Sequence, residues 1–119
     1  CRALCAQDYS AVTAACLMVK KSVYDKVGGM DTELKVAFND VDFCLRVRET
    51  GYKIVYQPFA VWYHDESKTR GAEDTPEKME RFRGEIAYFQ NKWASFLKKG
   101  DPAYNPNLAL DRHDFALKR

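Results

Sequence analysis

Hydrophobic and polar positions along this chain follow two rhythms. From Thr75 onward Met79, Phe82, Ile86, Phe89, Trp93 and Phe96 recur at steps of three and four, the period of a helix with one apolar packing face. Thr75 as cap with Pro76 at the first helical position predicts the start, and Gly100 the stop, so one long helix is expected from Pro76 to about Lys99. A second helical stripe (Val41, Cys44, Leu45 and Val47 or Arg48) lies between a cap at Asn39 or Asp40 and a stop at Gly51. Between the two helices the rhythm changes to alternation. "YKIVYQP" reads as a strand broken by Pro58, and "FAVWYH" as a second short strand ending at His64.

Upstream, "VTAACLMVKK" (Val12 to Lys21) is an apolar run ended by charge. It reads as a buried strand, although its small residues leave a helix open. Ser22 can cap a short helix over Val23 to Val27, and Gly28-Gly29 stops it by allowing positive φ. Residues 1–11 are weakly patterned, Asp31 to Ala37 and "DESKTRGAEDT" read as loops, and the tail after Gly100 holds no regular element. Helices alternating with strands define an α/β fold class with a few-stranded mixed sheet and a long C-terminal helix. Three strands are few for an independent sheet, so further strands are expected before Cys1.

The 119 residues suit a single domain, 1–119, and 46% hydrophobic with 13% aromatic residues excludes a disordered chain. No apolar run approaches the ~18 residues of a membrane span. The chain does not begin with Met and shows no signal-peptide pattern, so an internal piece of a longer protein is expected. A net charge of +2, with lysines and arginines dispersed among acids, argues against a nucleic-acid partner. The cysteines at positions 1, 5, 16 and 44 form no CxxC pair. Reduced thiols are expected, with Cys16 and Cys44 packed as small hydrophobes, as in a cytoplasmic protein.

Candidate chemistry concentrates between Ala37 and His64. Successive helical residues diverge by ~100°, so Asp40 and Asp42 cannot face one spot. One can look into a cleft while the other caps the helix or points to solvent. Asp40, nearer the cap, is the better cleft candidate, its charge favoured by the helix N-terminus and able to accept a proton. His64 at a strand end would overlook the crevice in which open α/β sheets bind ligands, where an imidazole can ligate a divalent cation. Plainer readings fit the same spacing: a cap with a surface acid, a hydrogen-bonded strand-end histidine, and an exposed basic loop at Ser67 to Gly71.

The order of these pieces resembles the C-terminal half of family 2 glycosyltransferases with the GT-A (nucleotide-diphospho-sugar transferase) fold. The segments carrying the resemblance are "ACLMVKKSVYDKVGGMD", "NDVDFCLRVRETGYKIVYQPFAVWYH" and "ESKTRG". The closing "DPAYNPNLALDRHDFAL" looks like the tail of a bacterial subset of that family. The resemblance implies that Asn39-Asp40 stands where the family has Glu-Asp, with Asp40 as the base that deprotonates the acceptor hydroxyl. It places a ligand of the nucleotide-diphosphate metal, Mg²⁺ or Mn²⁺, on His64, diphosphate contacts on Ser67 and Arg70, and the acceptor side on Asp31 and Asp42. The family's metal-binding DxD lies upstream of everything in this chain, so the nucleotide-binding half is expected there.

Inverting transfer from a nucleotide-sugar donor to a carbohydrate or lipid-linked acceptor in cell-surface polysaccharide synthesis is thus implied. The location would be the cytoplasm or the inner face of the membrane. Alone, the chain would be inactive and could self-associate through an uncovered sheet edge. The rival is a non-catalytic, degenerate transferase domain serving as a binding or scaffold module, which Asn39 in place of an acid favours. A metal-dependent hydrolase would need more ligands than these.

Overall fold

A computed structural model describes residues 4–64, 75–112 and 116–118. Its elements are β1 (Gln7–Tyr9), a 3₁₀ turn (Ala14–Cys16), α1 (Lys21–Lys26), α2 (Asn39–Glu49), β2 (Ile54–Tyr56), α3 (Pro76–Lys92) and α4 (Ala94–Lys99). The strands pair antiparallel with Gln7 opposite Tyr56, Asp8 opposite Val55 and Tyr9 opposite Ile54.

Helix α2 is the hub. On one side Phe43, Cys44 and Val47 pack with Val23 of α1 and Ile54 of β2. On the other, Leu45 packs with Leu34 from the preceding loop and with Phe89 and Trp93. Two apolar neighbours explain why Asp42, Phe43, Cys44, Leu45 and Val47 are all buried, a wider band than the single stripe expected. Polar bonds fasten the same helix: Arg46 Nη1 donates to the Val27 carbonyl at the end of α1, 2.6 Å, and Arg48 Nη1 to the Tyr9 carbonyl of β1, 2.8 Å.

Several local signals behave as the sequence predicts, but Ser22 does not cap α1: Lys20 stands at the cap and Ser22 lies inside the helix. Thr75 Oγ1 accepts the Lys78 N–H at 3.3 Å and Pro76 opens α3. Glycines at φ 79° and 73° (Gly28, Gly29), 89° (Gly51) and 81° (Gly100) end α1, α2 and α4. The expected single helix to Lys99 divides instead at Trp93, whose backbone leaves helical geometry at φ −107°, ψ 20°.

Long-range expectations fare differently. Val12 to Lys21 is not a strand: it holds the 3₁₀ turn and, at Lys21, the first residue of α1, and Met18 is 98% exposed. "FAVWYH" is not a strand either, with Trp62 and Tyr63 exposed. An apolar run becomes a strand only where a neighbour completes its backbone hydrogen bonds, and among the described residues none pairs with either run. The weakly patterned start supplies β1 instead. Cys44 is buried as expected, but Cys16 is exposed. Residues of both runs line an open apolar groove of about 1850 Å³, together with Ile54 to Tyr56 of β2 and Asp101, Ala103 and Tyr104 of the tail. The tail is tied down by a hydrogen bond from the buried Ser10 hydroxyl to Asp101.

Candidate functional site

The site is built at the start of α2. Phe38, in the cap position, adopts left-handed geometry at φ 62°, ψ 4°, a conformation that L side chains other than Asn or Asp seldom take. Its ring stacks on Phe89 with centroids 5.0 Å apart and on Phe82 at 6.1 Å, and its carbonyl accepts the Asp42 N–H. Neither Asn39 nor Asp40 is the cap; both are inside the first turn. The Asn39 side-chain oxygen accepts the Asp40 N–H at 2.7 Å.

Asp40 is half-buried. Its Oδ1 accepts the Val41 N–H at 2.8 Å and its Oδ2 the Ala14 N–H at 3.2 Å, across from the 3₁₀ turn. Ala14 lines the groove, so Asp40 sits behind one groove wall at the mouth of α2.

Asp42 goes the other way, as the divergence of neighbouring helical residues requires, but it neither caps the helix nor points to solvent. It is fully buried. Its Oδ1 takes the Trp93 indole N–H at 2.9 Å and the Lys92 ammonium at 2.8 Å, and its Oδ2 takes Arg46 Nε at 2.7 Å. An acid so enclosed and so fully bonded holds α2 to α3; it offers no oxygen to an acceptor in this arrangement.

Lys92 also reaches Asp31, at 2.6 Å, where the Tyr88 hydroxyl donates to the same Oδ2 at 2.9 Å. The Lys92 ammonium pulls the Asp31 carboxyl down to about 2, against the opposing effect of burial, with further help from the Glu33 N–H and Tyr88. Burial works against the charge on Lys92, but the two carboxylates outweigh it and its pKa lies above the ordinary lysine value. Asp31 and Asp42 are thus joined through one ammonium on the α3 side of α2, while Asp40 is held against Ala14.

His64 is exposed at the end of an irregular run rather than at a strand end. Ser67 and Arg70 lie outside the described residues. Among the described residues no three His, Cys, Asp or Glu side chains gather where they could hold one metal ion.

Sequence reasoning passed over Glu85. It is buried on α3, and its carboxylate accepts the Val36 N–H at 3.1 Å and the Ala37 N–H at 2.9 Å. Arg81 Nε stands 3.8 Å from the same group. The signal was present: Glu85 falls three residues after Phe82 and four before Phe89, on the apolar face itself, where an acid needs buried partners.

Two known proteins are similar to the chain over nearly its whole length. The uncharacterized protein y4gI of Sinorhizobium fredii is 55% identical over 118 residues, 98% of this chain and 13% of that protein. The O-antigen biosynthesis protein RfbC of Myxococcus xanthus is 33% identical over 113 residues, 95% of this chain and 8% of that protein. The chain thus spans a small part of both relatives. No family model and no solved structure matches it. Among the described residues no helix is long and apolar enough to cross a membrane.

Proposed function

We propose that this chain is the acceptor-side part of a GT-A glycosyltransferase, one that moves a sugar from a nucleotide-sugar donor to an acceptor hydroxyl with inversion. Asp40 is the general base. The observation that carries this reading is the parting of the two acids: Asp42 is withdrawn into the core, while Asp40 stays half-buried at a helix mouth, bonded to Ala14 of the groove wall. Two backbone N–H groups fix the Asp40 carboxylate, and each of its oxygens keeps a lone pair for an incoming hydroxyl. The attacking oxygen would lose its proton to Asp40 as it bonds to the anomeric carbon, while the nucleoside diphosphate departs. A base so placed contributes roughly 10²–10⁴-fold.

The similarity to an O-antigen biosynthesis protein supports a sugar substrate and an acceptor among carbohydrate or lipid-linked precursors of cell-surface polysaccharide. The uncovered groove fits a chain whose donor-binding strands lie elsewhere in a longer protein. Ser67 and Arg70 remain the proposed diphosphate contacts. A divalent cation, which would neutralise charge on the leaving diphosphate, would use His64 with ligands beyond the described residues, and no step above is routed through it.

A second reading, a degenerate module without activity, draws on Asn39. That side chain spends its amide oxygen on the Asp40 N–H, a structural task that needs no charge. Calorimetry of the full-length protein against a panel of nucleotide sugars, followed by a transfer assay with the tightest binder, separates the two. Binding and transfer are expected; binding of no nucleotide sugar would favour the module.

A further inference from the structure

We propose that Glu85 is a positioning residue for Asp40, acting through the backbone that precedes α2. This rests on the reading of Asp40 as the base. The segment leading into α2 has no glycine to absorb its turn, and Phe38 carries the left-handed geometry instead, a conformation that persists only where its surroundings hold it. Two things on α3 do so. The Glu85 carboxylate grips the consecutive N–H groups of Val36 and Ala37, one per oxygen, from a position 4% exposed. About one turn to either side of Glu85 on the same helix, Phe82 and Phe89 stack on the Phe38 ring.

A buried carboxylate is costly to keep unless it is paired and hydrogen-bonded, and Glu85 meets that need with the two loop N–H groups and with Arg81 3.8 Å away. What these bonds hold is the loop whose next two residues are Asn39 and Asp40. Released, Val36 to Phe38 would relax toward ordinary backbone geometry and rotate the first turn of α2, swinging the Asp40 carboxylate away from Ala14. Displacement of a reacting group by about 1 Å can lower turnover on the order of a hundredfold without touching substrate affinity.

The test is made in the full-length protein, with kcat and donor KM measured for Asp40→Asn, Glu85→Gln and Glu85→Asp, and amide hydrogen exchange followed at Val36 and Ala37. Glutamine keeps the size of Glu85 but turns one acceptor into a donor facing an N–H. Glu85→Gln is expected to lower kcat roughly ten- to a hundredfold, leave donor KM within about twofold, and speed exchange at Val36 and Ala37. An Asp40→Asn variant that transfers sugar normally removes the base itself, and the positioning role falls with it. An inactive Asp40→Asn beside a Glu85→Gln of normal kcat, or one altered in KM alone, overturns the positioning role and leaves the base standing. If Glu85→Gln does not fold, Glu85→Asp decides. It keeps the charge but is one methylene too short to hold both N–H groups, and it is expected to show the same loss of kcat at constant KM with faster exchange at Val36 and Ala37; a normal kcat there overturns the proposal.

Discussion

Replacing Asp42 with Asn tests whether this acid belongs to the core or to the site. The wild-type carboxylate is completely buried and takes three donors at 2.7, 2.8 and 2.9 Å from Arg46, Lys92 and Trp93. A carboxamide of the same shape has one accepting oxygen, and its NH₂ must face at least one of those donors. Breaking a buried ion pair by altering one partner costs about 3–5 kcal/mol, a large share of the roughly 5–15 kcal/mol that holds a domain together. For a chain of this size that corresponds to a fall in Tm of about 10–20 °C. Lys21 and Asp25 provide the control. Their ion pair is equally short at 2.7 Å and has the same i,i+4 spacing, but the side chains are 85% and 56% exposed. Asp25→Asn should therefore move stability by less than about 1 kcal/mol. Thermal unfolding followed by circular dichroism at neutral pH reads both variants. A Tm for Asp42→Asn within about 2 °C of wild type would refute the reasoning, since the burial and the three bonds would then carry no weight.

Acid stability should report on Asp31. Its carboxyl is held at about 2 in the fold against 3.8 ordinarily, so its contribution is present above pH 4 and lost as pH falls through the interval from about 4 to about 2. Lys92→Met should raise the Asp31 pKa in an NMR titration and flatten that part of the acid unfolding curve; an unchanged titration would show that Lys92 is not its partner. Gly29→Ala should destabilise by about 1–3 kcal/mol. The backbone there has φ 73° and a Cβ would come to 3.0 Å from the Tyr24 hydroxyl and 3.1 Å from its ring, so a variant that melts like wild type would mean the turn is not held as described.

The parts of this fold that were legible in the sequence are those whose causes are local. Thr75 caps α3 through a residue three positions away, and Gly51 and Gly100 end helices by their own positive φ. Apolar runs are different. Val12 to Lys21 and Phe59 to His64 have strand composition, but composition supplies no hydrogen-bonding neighbour, and neither run forms a strand. The acids show the same division. Spacing required Asp40 and Asp42 to part company, and they do. Which of them would be enclosed depended on Trp93, 51 residues away, whose indole N–H waits inside the core. The long helix divides at this same Trp93, whose backbone leaves helical geometry where a continuous helix was expected. Glu85 was readable as an acid on an apolar face, but its purpose was not, since the N–H groups it accepts belong to a loop 48 and 49 residues earlier.

The proposed transfer depends above all on the Asp40 carboxylate, and the single-turnover rate of sugar transfer measures its part directly. In the full-length protein with donor and acceptor saturating, Asp40→Asn is expected to lose at least about a hundredfold in that rate while donor affinity stays within about threefold of wild type. Transfer at the wild-type rate by this variant would contradict the assignment of Asp40 as the base.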